Sequence, residues 1–338
     1  MPIGSCRTDC AFVDIEGGQN CWLLFCIHGL VASIALNCQK LYYFPMKIID
    51  LLKSGRPTLS FEVFPPKTDA AYEPLLENVR DIAALHPDFM SVTYGAGGGT
   101  STYTVAIADD IQTGFQVPAL AHFTCVSSSR ATIQKQLEKI KAAGIENVLA
   151  LRGDIPEGST WATAEFRYAS DLVEIIRGAG DFCIGGACYP EGHPESANSR
   201  EDILNLKRKV DAGCQFLTTQ MFFDNNILYN FLYKIREQGI TVPVVAGIMP
   251  VTNGKQIARI CKLSGTYLPA RFKAIVDRFG DNPLAMTQAG IAYATDQIID
   301  LIANGVNGIH VYSMNKPEVA RQIQANLSHI VGNQSHSR

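Results

Sequence analysis

Long apolar runs are scarce in this chain. The most apolar stretch, 22–36, contains His28 and falls short of the roughly 20 residues a membrane-spanning helix needs. It also starts late, behind an acidic stretch and with no basic leader, so it does not read as a secretory signal. Excess charge of either sign is missing: 29 Lys+Arg stand against 32 Asp+Glu, for a formal net charge of −3. That balance argues against a surface built mainly for nucleic acid or anionic lipid. Several chemical signatures are absent as well. No Gly-rich dinucleotide fingerprint follows the first strand-like run, and the glycine-rich stretch at 95–99 lacks a Walker lysine. No HExxH motif or close carboxylate cluster offers a metal site, and no GxSxG marks a nucleophilic serine.

Cysteine is plentiful by contrast, with ten residues. Cys6, Cys10, Cys21, Cys26 and Cys38 fall before residue 45. Cys125, Cys183, Cys188, Cys214 and Cys261 are scattered singly through apolar stretches and read as buried thiols of a reduced, cytoplasmic protein. The segment 1–45 carries few charges (Arg7, Asp9, Asp14, Glu16 and Lys40) and no clear helical or strand period. Cys6 and Cys10 have a loose ligand spacing, but paired CxxC units are missing and no metal is expected. Residues 1–45 are therefore read as an N-terminal extension, poorly ordered or dispensable. Residues 46–338 are the working domain, long enough for a (β/α)8 barrel of about 250 residues.

Within that domain, hydrophobic material is ample: 47% of the chain is hydrophobic and 18% charged. Short apolar runs bounded by Gly, Pro or polar residues predict strands over 58–64, 89–94, 119–124, 148–152, 183–189, 216–221, 244–248 and 308–312. Amphipathic stretches between them predict helices over 71–85, 130–143, 168–177, 200–212, 226–237 and 317–327. Alternating strand and helix implies parallel pairing. Eight such units predict a single closed (β/α)8 TIM barrel, with a doubly wound sheet as the alternative. The seventh connection, around 264–287, is long.

In such a barrel the chemistry sits at the carboxyl ends of the strands. Those ends are polar here: Glu62, Thr93, His122 and Thr124, Arg152-Gly153-Asp154, Tyr189 and His193, Gln220, His310 and Tyr312, then Asn315 and Lys316. Glu62 stands out because it interrupts an apolar strand. Burial is expected to raise its pKa and suit it to general acid work. A structural ion pair with a barrel Lys or Arg is the competing account. Asp154 could serve a turn or pair with Arg152. Tyr189, Tyr312, His122 and His310 could be plain core residues. On a helix, Asn205, Arg208 and Lys209 share one face with Asp202 a turn earlier. That face is either solvated or a clamp for pyrophosphate.

Taken together these segments resemble the methylenetetrahydrofolate reductase family. The resemblance rests on Ser60-Phe61-Glu62-Val63-Phe64-Pro65-Pro66-Lys67, Ser91-Val92-Thr93-Tyr94-Gly95-Ala96, Ala150-Leu151-Arg152-Gly153-Asp154, the runs 189–195 and 205–213, Thr219-Gln220 through Asp224, and Gly247-Ile248-Met249-Pro250-Val251. The segments occur in the family's order across most of the chain.

The resemblance implies an enzyme of one-carbon metabolism, serving methionine biosynthesis. It would reduce methylenetetrahydrofolate to methyltetrahydrofolate with FAD and a reduced nicotinamide, NADH or NADPH. It further implies Glu62 as general acid, with Asp154 beside the flavin and the pterin. Thr93, His122, Arg152, Gly153, Asp154, Tyr168, Ala169, Tyr189, His193, Asp202, Asn205, Arg208 and Lys209 would hold FAD. Glu62, Asp154, Gln220, Gln256, Tyr312 and Lys316 would meet folate or nicotinamide. A homo-oligomer is implied, with no nucleic-acid or membrane partner. Two positions depart from some relatives: Lys316 replaces an arginine, and Ile260 an aromatic phenylalanine. The regulatory C-terminal domain of the animal enzymes has no counterpart, so no methyl-donor feedback site is expected. A flavin- or folate-binding barrel without turnover remains an alternative. So does a Schiff-base lyase or aldolase, which the lack of lysine in the predicted strands disfavours.

Overall fold

The computed structural model describes residues 11–13, 20–27, 30–37, 46–94, 101–126, 128–154 and 165–332. The chain divides into two compact units, with the boundary between Phe44 and Pro45. In the first, β1 (Ala11–Val13), β2 (Asn20–Ile27) and β3 (Leu30–Asn37) form an antiparallel sheet in the order β1-β2-β3. Regular strands thus occur where the sequence shows no clear period. Cys6 and Cys10 lie outside the described residues.

The second unit opens with α1 (Ile48–Lys53) and β4 (Thr58–Val63), followed by α2 (Tyr72–Ala83) and β5 (Phe89–Val92). The alternation continues through α3 (Ser101–Phe115), β6 (Ala119–Thr124), α4 (Arg130–Ala142), β7 (Asn147–Leu151), α5 (Ala169–Ala179) and β8 (Cys183–Cys188). It runs on through α6 (Ser199–Ala212), β9 (Phe216–Thr219), α7 (Asn225–Glu237) and β10 (Val244–Ile248). Three helices, α8 (Gly254–Ser264), α9 (Ala270–Phe279) and α10 (Pro283–Ala303), fill the long seventh connection before β11 (Gly308–Tyr312) and α11 (Pro317–Asn326). Strands β4 to β11 are parallel neighbours in a closed barrel, in which β11 returns to pair with β4. The predicted (β/α)8 barrel is the observed fold, and the doubly wound alternative falls away.

Strand alternation sorts the side chains. On β4, Leu59, Phe61 and Val63 join the large core shared with Leu76, Val79 and Ile82 of α2. Ser60 and Glu62 occupy the other face, inside the barrel. Each large buried side chain in such a layer contributes about 1.5–3 kcal/mol by leaving water.

The N-terminal mouth is closed by α1. Its Ile48 and Ile49 pack onto Phe89, Leu120, Leu149, Cys183, Phe216 and Val245. Asn147 ties the plug down: its Oδ1 accepts from the Ile48 amide at 2.8 Å and its Nδ2 donates to the Met46 carbonyl at 3.1 Å. Phe216 lies where a Cβ on Gly185 would collide with its ring, so the glycine makes room for it.

At the other end, Phe223, Phe272 and Tyr293 stack beneath the α8–α10 insertion, with ring centroids 5.0 and 4.2 Å apart. Cys125, Cys183, Cys188 and Cys214 are buried free thiols, whereas Cys261 is half-buried. Burial pushes Cys125 and Cys214 up to about 12 and Cys183 to about 11, which makes them poor nucleophiles. No helix among the described residues is long and apolar enough to cross a membrane.

Candidate active site

Parallel pairing brings the polar strand ends to one mouth. Register sets Tyr312 beside Glu62 and Glu62 beside Ser91, so β11, β4 and β5 present a continuous polar row. Glu62 Oε2 lies 3.4 Å from Ser91 Oγ, 3.6 Å from His122 Nε2 and 3.7 Å from His310 Nε2. The competing account of Glu62, pairing with a barrel Lys or Arg, is not realised; its neighbours are imidazoles and a hydroxyl.

Hydrogen-bond accounting orients His310. Ser60 Oγ donates to the Ile309 carbonyl at 2.9 Å, so the His310 Nδ1–H donates to Ser60 Oγ at 2.7 Å. Ser91 Oγ lies 2.9 Å from His310 Nε2 and donates its own proton to Glu62 Oε2 at 3.4 Å. Ser91 thus stands between His310 and Glu62. The His310 ring lies parallel to Phe89, with centroids 5.7 Å apart, which holds its tilt.

The expected pKa of Glu62 needs correction. Burial is the largest single influence and pushes it up. The adjacent His310 ring, the charges of His122 and His310, and the Ser91 hydroxyl together outweigh it and hold the carboxyl below its usual range. His122 is itself driven from 6.5 to about 4, chiefly by burial, so it is neutral near pH 7. With His122 neutral, the Ser91 hydroxyl and the His310 ring are the neighbours left beside the carboxylate. Burial likewise raises Tyr312 well above the ordinary phenol value. Its hydroxyl donates across the barrel to the Thr219 carbonyl at 2.6 Å. Gly247 permits this crossing, since a Cβ there would strike the Tyr312 hydroxyl.

A second group flanks this one. Arg152 is bidentate to Glu195, with both bonds at 2.6 Å, and its Nε donates to the Gly153 carbonyl at 3.1 Å. Gly153 has φ 88°, and a Cβ there would press on Thr124 at 3.0 Å. Asp154, next in sequence, is exposed. Tyr189 meets His193 edge-on at 4.6 Å and is pushed up to about 12 by burial. Burial and the nearby Arg152 charge lower His193. Asp202 accepts from Ser196 Oγ at 3.1 Å.

On α6, Arg208 is exposed and donates to Asn205 Oδ1 at 3.0 Å, whereas Lys209 turns inward to the Ala187 carbonyl at 2.6 Å. The shared helix face therefore splits into one solvent-facing and one strand-facing cation. Burial lowers the Lys209 pKa. Tyr168, 58% exposed, caps α5 ahead of the buried Ala169.

The remaining predicted residues reach the same end by different routes. Thr93 follows β5, and its amide donates to the Val63 carbonyl at 3.0 Å. Gln220 follows β9, and its side chain folds onto the Met221 amide at 2.9 Å. Gln256 is exposed on α8, while Ile260 on the same helix packs against the cluster of Met221, Phe223 and Val251. Lys316 Nζ donates to Thr252 Oγ1 at 2.8 Å. The Gly95-Ala96 part of the second motif lies outside the described residues.

Sequence reasoning assigns no role to Ser60, Ser91, Glu195 or Thr218, and places His310 at a polar strand end with a core histidine as the alternative. The available signal was period two: Ser60 precedes Glu62, Ser91 precedes Thr93, Thr218 precedes Gln220 and His310 precedes Tyr312 on one strand face.

Comparison with known proteins gives a consistent answer. The sequence profile of the family described as "Methylenetetrahydrofolate reductase" matches residues 47–328. A maize (Zea mays) protein named "Methylenetetrahydrofolate reductase (NADH) 1" is 39% identical over 295 residues, covering 83% of this chain and 50% of that protein. The Escherichia coli K12 "5,10-methylenetetrahydrofolate reductase" is 35% identical over 269 residues, covering 80% and 90% respectively. The chain thus spans about half the length of the plant relatives it matches and most of the bacterial ones. Among solved structures, a protein described as "Uncharacterized protein from Clostridium thermocellum binds two copies of 5-methyl-5,6,7,8-tetrahydrofolic acid" superposes with TM-score 0.56 at 14% identity, over 85% of this chain and 99% of that one. At that identity the likeness concerns the barrel alone.

Proposed function

Because the chain belongs to the methylenetetrahydrofolate reductase family, we propose that it reduces methylenetetrahydrofolate to methyltetrahydrofolate, using FAD and a reduced nicotinamide, with Glu62 as the acid. The observation that carries this reading is the Glu62 carboxylate at a strand end, held by Ser91 and two imidazoles.

The residues present fit a flavin dinucleotide. His122 Nε2 and Thr218 Oγ1 are buried at this mouth without a hydrogen-bond partner, a cost that a ligand's polar edge would relieve. Gly153 keeps the backbone bare beside Thr124, where a flavin ring could approach. Arg208 and Lys209, with Asn205 and Asp202, supply cations and polar groups suited to pyrophosphate and ribose. Arg152, Tyr168, Ala169, Tyr189 and His193 would complete the cradle, and Thr93 and Asp154 would border the ring.

When bound, FAD would carry hydride from the nicotinamide to the folate's one-carbon bridge. The chain's own residues do the rest. Glu62 delivers a proton to the folate nitrogen that departs as the five-membered ring opens. A pterin over the carboxyl excludes water, which pushes Glu62 upward and favours the protonated form that the step needs. Ser91 and His310 hold the carboxyl in place. Asp154 and Gln220 would grip the pterin, while Lys316 would attract the folate tail as a point charge. Gln256, Ile260 and Tyr312 would border the folate or nicotinamide; Ile260 offers packing without an aromatic face. NADH or NADPH would serve as reductant, and a homo-oligomer in the cytoplasm remains the proposed setting.

A Schiff-base lyase has little to build on, since β4 to β11 contain no lysine. The direct test is the visible spectrum of the purified protein after incubation with FAD. Flavin bands that stay with the protein through gel filtration are expected; their absence would defeat the reading.

A further inference from the structure

The turn after β11 contains two consecutive non-glycine residues at positive φ, Met314 and Asn315, both at 54°. That conformation is uncommon for L residues, although asparagine tolerates it better than most. The turn is bonded to the strand that carries Glu62. The parallel register of β11 and β4 runs as far as Tyr312 opposite Glu62. Beyond it, side chains take over from the main chain. Ser313 Oγ donates to the Glu62 carbonyl at 2.7 Å. Asn315 Oδ1 accepts from the Phe64 amide at 3.0 Å, and its Nδ2 donates to the Phe64 carbonyl at 2.9 Å. The Val63 carbonyl is held from the other side by the Thr93 amide at 3.0 Å. Ser313 and Asn315 are 1% and 8% exposed, so these bonds are sheltered from competing water.

We propose that Asn315, with Ser313, is a positioning device for Glu62: the left-handed turn presents an amide that extends the β4–β11 ladder by side chain and fixes the strand end carrying the acid. This rests on the reading of Glu62 as general acid. The physical need is clear. A parallel strand ends where its ladder ends, and an acid at the last rung would otherwise sit on fraying backbone. Misplacement of a reacting group by about 1 Å costs on the order of a hundredfold in rate. The amide is suited to the task because it offers one acceptor and one donor to the N–H and C=O of a single residue. Asn315 touches Phe64 backbone, so it acts through Glu62 rather than on the substrate.

The test uses Asn315→Gly, which keeps the left-handed turn open to the chain but removes both side-chain bonds. Two readouts are needed. The first is the titration of the Glu62 carboxyl by difference infrared spectroscopy, assigned by subtraction of Glu62→Gln. The titratable groups facing Glu62 are His310 and Tyr312 from β11 and His122 from β6, with the Ser91 hydroxyl from β5. If the strand end loosens, Glu62 moves away from His310 and Ser91, and its midpoint rises toward the ordinary carboxylate value. The second readout is the pair of half-reactions in the FAD-loaded protein. Asn315→Gly should slow folate reduction by about tenfold or more, while flavin reduction by NADH or NADPH stays within about twofold. Asn315→Asp, which keeps the acceptor for the Phe64 amide, should fall between.

An unchanged carboxyl midpoint, or equal slowing of both half-reactions, overturns the proposal. Should Asn315→Gly not yield folded protein, Ser313→Ala decides, since it leaves the turn intact and removes only the bond to the Glu62 carbonyl. A smaller shift in the same direction is expected, and none would overturn the proposal. A parent protein that binds FAD yet never reduces folate would defeat the functional reading instead, and the infrared titration would still judge the clamp.

Discussion

At the N-terminal end of the barrel, Phe89, Leu120, Phe216 and Val245 meet Ile48 and Ile49 of α1 in an apolar plug. Two residues further along the same four strands stand Ser91, His122, Thr218 and Gly247. Because strand alternation has a period of two, these residues continue the same inward face. One rung of the barrel therefore separates a layer built for burial from a layer built for chemistry. The first is satisfied internally: Asn147, its polar member, bonds to the backbone of Met46, Ile48 and Ala119. In the second, His122 Nε2 and Thr218 Oγ1 are left without hydrogen-bond partners. The boundary is physical contact, with Phe89 of the plug stacked on His310 of the polar layer. Unmet polar groups concentrated on one side of that boundary distinguish a mouth meant to receive a ligand from one meant to stay shut.

The sharpest way to break this contrast is at Phe216. Removing its ring should leave a cavity under α1 and cost about 3–5 kcal/mol of stability, read as a fall in the urea midpoint. FAD affinity and the rate of each half-reaction per folded molecule should hold. A selective loss of folate reduction would mean that the two layers are not separable.

A smaller effect is expected from pH, and only at the polar layer. His122 titrates near 4 when folded against 6.5 when unfolded, so the unfolded chain takes up the proton first as pH falls. The stability is fully present above about pH 6.5 and is lost progressively toward pH 4, by about 3 kcal/mol in all. His122→Gln should flatten that part of the urea-unfolding profile, whereas Phe216→Ala should lower the whole profile without changing its slope. A wild-type slope in His122→Gln would assign the acid sensitivity to other groups.

The smallest effect should follow deletion of residues 1–45. It stops short of Met46, whose carbonyl anchors Asn147, so the melting temperature and both half-reactions should be unchanged. Deletion through Lys53 removes Ile48 and Ile49 and should destabilise the protein by several kcal/mol, at about 1.5–3 kcal/mol per large apolar side chain lost from the core. Equal loss from both deletions would show that the N-terminal segment is part of the working unit.

Much of this division is legible in the sequence. The barrel is, because each strand is a short apolar run closed by Gly, Pro or polar residues, as at Phe64-Pro65-Pro66. Glu62 is legible because a carboxylate inside such a run needs a reason. What surrounds it is not. Ser91 and His310 reach Glu62 only through the register of three strands spread over some 250 residues, and that register is a property of closure. For the same reason, burial alone gives the wrong direction for the Glu62 pKa. Glu195 is an ordinary loop acid until the barrel brings Arg152 to it from 43 residues away. Asn315 looks like turn punctuation, and its value lies in a positive φ that residue identity permits but does not demand. The strands at 11–37 escape notice because their apolar residues show no clear alternation.

The central claim is that Glu62 supplies the proton for folate reduction at the polar end of the barrel. Stopped-flow measurement of both half-reactions in Glu62→Gln tests it most directly. Flavin reduction by NADH or NADPH should proceed at close to the wild-type rate, while oxidation of the reduced flavin by methylenetetrahydrofolate should fall by about a hundredfold or more. Folate reduction at the wild-type rate in that variant would contradict the account.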